Sequence, residues 1–188
     1  MTKTALLLAA LLAAASASAQ TVKLQTTEGD IRIELNAEKA PKTVANFLQY
    51  VKAGHYNGVI FHRVIGHFMI QTGGYDAKLN QRPTKAPIPL ESGNGLSNLR
   101  GSVAMARTND PNSATSQFFI NVVDNGFSLD AMPGRIGTGY AVFGQVVEGM
   151  DVVDKIRAAE TAPKNMSFQD LPLKPIFITK AVIEPAKK

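Results

Sequence analysis

The chain reads as a mostly β protein, a closed antiparallel barrel of roughly eight strands with two helices. Three observations carry that expectation. Short segments that alternate apolar and polar residues recur along the chain, separated by Gly, Pro, Asn and Asp, the pattern of half-buried strands joined by turns. Only two stretches place apolar residues at helical spacing. No repeat, linker or low-complexity block divides the chain after its apolar start, and a sheet closed on itself leaves no exposed edge.

The elements follow in order. Val22–Thr26 and Ile31–Leu35 alternate in the strand period, and Thr27-Glu28-Gly29-Asp30 between them turns the chain into a hairpin. Pro41 opens a helix, where its missing N–H costs nothing. Val44, Phe47, Leu48 and Val51 form one apolar stripe, and Gly54 ends it. Phe61 to Gly74 reads as two short strands around a Gly66-His67 bend. Tyr75 to Asn98 is a long irregular segment with Pro83, Pro87, Pro89, Gly93 and Gly95, and loops of that length are often functional. Gly101–Ala106 is a strand of small residues, and Thr108–Thr115 a polar loop. In the strand Ser116–Val122, Gln117, Phe119 and Asn121 share one face, while Phe118, Ile120 and Val122 share the other, the core face. Phe127, Leu129 and Met132 fall in a loop. Tyr140–Val147 is a strand, Met150–Ala159 a short helix packing through Val153 and Ile156, Leu171–Pro175 an extended connector, and Ile176–Ile183 the last strand.

Ahead of these elements, Lys3, the apolar run Ala5–Ala15 and Ala17-Ser18-Ala19 have the layout of a secretory leader: basic start, apolar centre, small-x-small cleavage site. The run is shorter than the ~20 residues that span a bilayer, so removal after Ala19 is expected rather than anchoring. That leaves residues 20–188 as one exported domain, periplasmic or secreted, with no membrane contact after cleavage. Cysteine is absent, which excludes thiol catalysis and zinc-thiolate sites. The formal net charge is +5, but the basic residues are scattered, which argues for a solvated surface and against a nucleic-acid partner. No extra domain points to a dimer, so a monomer is expected.

Chemistry concentrates in Phe61–Gly74. Arg63 and Gln71 are an even number of positions apart and share a face if the strand alternation survives the bend. A half-buried guanidinium beside Phe68 and Met69 needs an anionic or strongly dipolar partner, either a carboxylate in a structural ion pair or a ligand. Elsewhere no nucleophile motif appears. The three histidines, His55, His62 and His67, lack metal-ligand spacing, so no metal or cofactor is expected, and His62 reads as a core histidine. What remains is Arg63, Gln71 and Gln117 with Phe68, Met69, Phe119, Phe127 and Leu129. That set can hold an extended peptide but offers nothing that breaks a covalent bond. It suits a reaction in which a bond only rotates.

Phe61-His62-Arg63-Val64-Ile65 followed by Phe68-Met69-Ile70-Gln71-Thr72-Gly73-Gly74 resembles the signature of the cyclophilin-type peptidyl-prolyl isomerases. Ser116-Gln117-Phe118-Phe119-Ile120 and Val142-Phe143-Gly144-Gln145-Val146 are similar to the family's later motifs, in the same order. The likeness spans about Val22 to Ile183 and is greatest to the single-domain cyclophilins that bacteria export. It implies a closed eight-stranded antiparallel β-barrel capped by two α-helices. It also implies a catalytic Arg63, a proline pocket of Phe68, Met69, Phe119 and Leu129, and substrate-backbone contacts from Gln71 and Gln117. Ala106 and Arg107 would lie along the groove, with Phe127 and Tyr140 beside it. The implied partners are proline-containing peptides and unfolded exported proteins. Three departures stand out: Gly66-His67 replaces the usual Pro-Gly, Phe127 stands where many eukaryotic members have Trp, and Tyr140 takes the place of a pocket His. The second implies weak cyclosporin binding. A proline-peptide binding module or chaperone without turnover would use the same groove.

Overall fold

A computed structural model of the chain describes residues 20–135 and 137–185, so the expected leader lies outside the described residues. In chain order the elements are β1 (Thr21–Thr26), β2 (Gly29–Leu35), α1 (Pro41–Lys52), β3 (Val59–Ile60), β4 (Arg63–Ile65), β5 (Met69–Thr72), β6 (Ser102–Met105), β7 (Phe118–Asn121), α2 (Gly126–Leu129), β8 (Val142–Glu148), α3 (Met150–Arg157), β9 (Thr161–Ala162), β10 (Leu171–Pro172) and β11 (Phe177–Ile183). The Pro41 start, the β1–β2 hairpin and the bend between β4 and β5 fall where the sequence puts them. Gly54, in the left-handed conformation at φ +67, follows α1 and donates its N–H to the Val51 carbonyl at 3.0 Å.

Nine strands form one antiparallel sheet in the order β3-β11-β1-β2-β8-β6-β7-β5-β4. Its edge strands, β3 and β4, are separated in sequence only by Phe61-His62. Three peptide steps span at most ~11 Å, whereas nine strands laid flat would put the edges about 38 Å apart. The sheet must therefore curl strongly on itself. Among the described residues no ladder joins β3 to β4, so the antiparallel, mostly β expectation holds as a strongly curled sheet with a seam at Phe61-His62, and the closed eight-stranded form of it is not confirmed. The extra strand, Val59–Ile60, forms by pairing with Phe177 and Ile178 of β11 and is too short to show a period in the sequence. Likewise the connector at Leu171–Pro172 pairs with Thr161–Ala162 in a separate two-stranded ribbon, and the Phe127 loop contains the single helical turn α2.

The core fills the inside of the curl. One row of facing residues, Val64, Ile70, Ile120 and Val103, runs across β4, β5, β7 and β6, and each is at most 2% exposed. Helix α1 packs against β11, and α3 against β2, β4 and β5. Phe47 of α1 meets Phe118 edge-on with ring centres 5.2 Å apart. α1 has no cap of its own. The long loop supplies one: the Glu91 carboxylate accepts the N–H groups of Lys42 at 3.1 Å and Thr43 at 2.8 Å, placing negative charge at the positive helix end. Arg82, also from that loop, donates to the His55 carbonyl at 2.9 Å. The loop is thus bound to the domain although it lacks regular structure.

Candidate active site

The outer face of the same strands carries the chemistry. Arg63 pairs with Gln71, Gln71 with Phe119, Phe119 with Ala104, and Ala104 with Val142. Facing residues of neighbouring strands project to one side, so a single row brings residues far apart in sequence onto one patch. Met69, one pleat along from Gln71, joins them. Met69, Ala104, Phe119, Leu129 and Val142 form an apolar cluster distinct from the core, packed by Ile65, Phe68, Leu96, Ala106 and Tyr140. The alternation expected for Ser116–Val122 holds: Phe119 belongs to this outer cluster, Phe118 and Ile120 to the core.

Above the cluster lies a cavity of about 100 Å³ lined by Arg63, Phe68, Met69, Gln71, Ala106, Arg107, Phe119, Leu129 and Tyr140. It is smaller than the ~300–1,000 Å³ of ordinary small-molecule sites and suits one compact apolar ring. Its walls offer no carboxylate, thiol, amine or aliphatic hydroxyl. Tyr140 stands edge-on to Phe119 at 5.6 Å, and the Arg107 guanidinium lies 4.7 Å above the Tyr140 ring, a cation–π contact that stiffens this wall. Arg107 is held further by bonds from Nε to the Gly139 carbonyl, 3.0 Å, and from Nη1 to the Thr108 carbonyl, 2.8 Å.

Gln71 donates through Nε2 to Gln117 Oε1 at 2.9 Å. Gln71 Oε1 makes no other hydrogen bond among the described residues, while the Gln117 amide also lies within reach of the His62 ring, so the pair keeps an open acceptor for a peptide N–H. Gly74 makes room for this pair, since a Cβ there would come within 2.7 Å of the Gln117 amide carbon. A second cleft of about 440 Å³ continues past Arg63, Gln71 and Gln117 toward His62, Tyr75 and the segment Met166–Asp170.

Arg63 is on an edge strand and its side chain is 45% exposed. It has a carboxylate neighbour, Asp170, with Nε 3.5 Å from Oδ2. Among the described residues, neither Nη makes a hydrogen bond. The guanidinium therefore meets a carboxylate along one edge, as an ion pair without a hydrogen bond, and is open along the other, at the cavity mouth. His62, the preceding residue, is 5% exposed, and burial lowers its pKa to about 4. It is neutral at ordinary pH and adds no positive charge beside Arg63. Its ring meets Tyr75 at 4.8 Å, but among the described residues Nδ1 has no partner, so it is a core histidine left partly unsatisfied.

Phe127 departs from expectation. It is fully exposed and lines neither cleft. α2 is one helical turn, and residues two apart in a helix point about 200° from one another. Leu129 faces the cavity, so Phe127 faces solvent. Sequence reasoning also missed Ala104 and Val142 beneath the cavity, which the strand period could have shown, and Asp170, which no local pattern marks. It missed a buried amide network as well. Asn121 donates to Asn98 at 3.1 Å and to Ser102 at 2.9 Å, and it accepts from Asn125 at 2.8 Å. Asn98 in turn donates to the Leu129 carbonyl at 3.2 Å, so this network seats the loop that carries the Leu129 wall.

An apolar socket with a half-open guanidinium at its mouth and paired amides beside it, on the outside of a curled β-sheet, has the form of an extended-peptide groove and offers no group that breaks a covalent bond. Comparison with known proteins narrows that class. Residues 21–183 match the family model for cyclophilin type peptidyl-prolyl cis-trans isomerase/CLD. The chain is 55% identical to peptidyl-prolyl cis-trans isomerase cyp18 of Streptomyces antibioticus over 87% of its own length and 98% of that protein. It is 51% identical to peptidyl-prolyl cis-trans isomerase B of Escherichia coli, covering 86% and 98%. The crystal structure of cyclophilin AquaCyp293 from Hirschia baltica superposes with TM-score 0.69 at 27% identity, covering 87% of this chain and 73% of that one. A Cryptosporidium parvum cyclophilin-type isomerase, solved in the presence of the dipeptide Ala-Pro, gives 0.65 at 28% identity, with coverage of 88% and 99%. The chain belongs to the cyclophilin-type peptidyl-prolyl cis-trans isomerase family and is an enzyme of that type.

Proposed function

We propose that Arg63 accelerates rotation about X-Pro bonds by donating a hydrogen bond to the prolyl nitrogen in the twisted state, while the proline ring sits in the cavity over Met69, Phe119 and Leu129. Resonance sets a barrier of ~18–20 kcal/mol, which at the upper value allows about 10⁻² s⁻¹ unaided. Turnover near 10³ s⁻¹ requires lowering it by about 7 kcal/mol. The nitrogen has an available lone pair only when the amide is twisted, so a donor aimed there favours the transition state over both planar ground states. A charged hydrogen bond contributes ~1.5–3 kcal/mol. The rest comes from immobilising the ring and excluding water from the amide, with Gln71 and Gln117 holding the flanking backbone. The observation that carries this reading is the guanidinium itself, open at both Nη over an apolar socket without nucleophiles.

Arg63→Ala is expected to lower kcat about a hundredfold while affinity for an X-Pro peptide falls much less, read by a protease-coupled isomerase assay beside a binding titration. Equal losses in both would mean that Arg63 only binds, as in a non-catalytic peptide-binding module.

The substrates on this reading are proline-containing segments of exported proteins during folding. The leader-like layout of residues 1–19 supports this, and the N-terminal sequence of the mature protein recovered from outside the cytoplasm checks it. Phe127, standing where many eukaryotic members carry Trp and turned to solvent, supports weak cyclosporin binding. The monomer remains the expected state.

A further inference from the structure

Asp170 takes no part in the scheme above, yet it is the one carboxylate that reaches the guanidinium among the described residues. We propose that Asp170 is a positioning residue for Arg63, holding its Nε edge so that both Nη groups stay aimed over the proline cavity. The proposal rests on the reading of Arg63 given above.

Two kinds of contact support it. The Asp170 main-chain carbonyl accepts the N–H of Val64 at 2.9 Å, so its backbone is fixed alongside the residue next to Arg63. The segment leading to it is braced as well. Asn165 Oδ1 accepts the N–H groups of Ser167 at 2.9 Å and Phe168 at 3.2 Å, and Gln169 Nε2 donates to the Asn165 carbonyl at 2.7 Å. Phe168, only 9% exposed, packs edge-on against Tyr75 at 5.0 Å and His62 at 6.4 Å. The carboxylate therefore stands on a rigid support rather than on a free loop.

Its effect has two parts of opposite sign. A negative charge near Nε weakens the field that Arg63 presents to substrate, while restraint of a long side chain with many rotamers settles that entropy cost before substrate arrives. Asp170 is 35% exposed, and water screens the charge term at such a site, so restraint prevails. Arg107 does not compete for the carboxylate, because its Nε and Nη1 are bonded to the Gly139 and Thr108 carbonyls.

The test measures kcat, KM and Tm for the wild type, Asp170→Asn, Asp170→Glu, Arg63→Ala and the double variant on one X-Pro tetrapeptide. Asp170→Asn is expected to lower kcat about fivefold with KM within about twofold and Tm unchanged. Asp170→Glu should recover part of the loss, and in the Arg63→Ala background Asp170→Asn should have no further effect. Unchanged kcat in Asp170→Asn overturns the proposal, as does an equal loss with and without Arg63. A fall in Tm that tracks the fall in kcat marks a structural role and overturns it too. Full turnover by Arg63→Ala removes the underlying reading of Arg63, and that outcome is distinct from failure of Asp170 alone.

Discussion

Strands β5 and β7 present two faces that differ by one residue step and by almost everything else. On the inner face Ile70, Phe118 and Ile120 are wholly buried in a cluster that engages α1, α3 and most of the sheet. On the outer face Met69 and Phe119 are nearly as buried, but in a small cluster bordered by Arg63 and Gln71, with Gln117 hydrogen-bonded to Gln71 beside it. Burial alone therefore does not separate core from site. What separates them is the company: the inner cluster has aliphatic and aromatic neighbours on every side, whereas the outer one is floored by apolar groups and rimmed by cations and amides.

The sharpest way to test this contrast is to remove one side chain from each face. Phe118→Ala, on the inner face, is expected to cost about 3–5 kcal/mol of stability, a large part of the ~5–15 kcal/mol typical of a domain, with turnover per folded molecule largely kept. Denaturant unfolding and activity below the transition measure both. Arg63→Ala should do the reverse, losing turnover at unchanged Tm. A variant that lost both together from either position would break the contrast.

His62 belongs to neither face, since it sits at the seam. Burial keeps it neutral in the folded state to about pH 4, whereas the unfolded chain takes up that proton near pH 6.5. The unfolded state thus binds the extra proton between these values, and stability falls as pH drops from about 6.5 toward 4. By this linkage the loss is about 3 kcal/mol at most. Below that window this group adds no further loss. His55, whose pKa burial also lowers, contributes in the same direction. Unfolding free energies measured at pH 7 and pH 5 should show the slope, and His62→Gln should remove most of it.

The smallest effect is expected at Phe127. Because it faces solvent and lines neither cleft, Phe127→Ala should change stability by no more than ~0.5 kcal/mol and leave KM for a short peptide unchanged. A several-fold rise in KM would show that this ring closes over bound substrate.

What could be read from the sequence followed periodicity. The split between Phe118 and Phe119, the stripe on α1 and the common face of Arg63 and Gln71 are all matters of spacing, and each holds. The cavity lining came from motifs in register, Phe119 and Gln71 among them. The outward turn of Phe127 is not legible, because one turn of helix is too short to show a period. The extra strand at Val59–Ile60 was hidden for the same reason. Asp170 could not be found, since its contact with Arg63 joins residues more than a hundred positions apart and no local pattern surrounds it.

The row from Arg63 through Gln71, Phe119 and Ala104 to Val142 crosses five strands. Slipping any one of those ladders by a residue would turn its apolar members outward and its polar ones inward, scattering the site. A molecule that turns over peptide has thereby certified the alignment of its own strands, and the return of catalysis after dilution from denaturant would time the last of these pairings to lock.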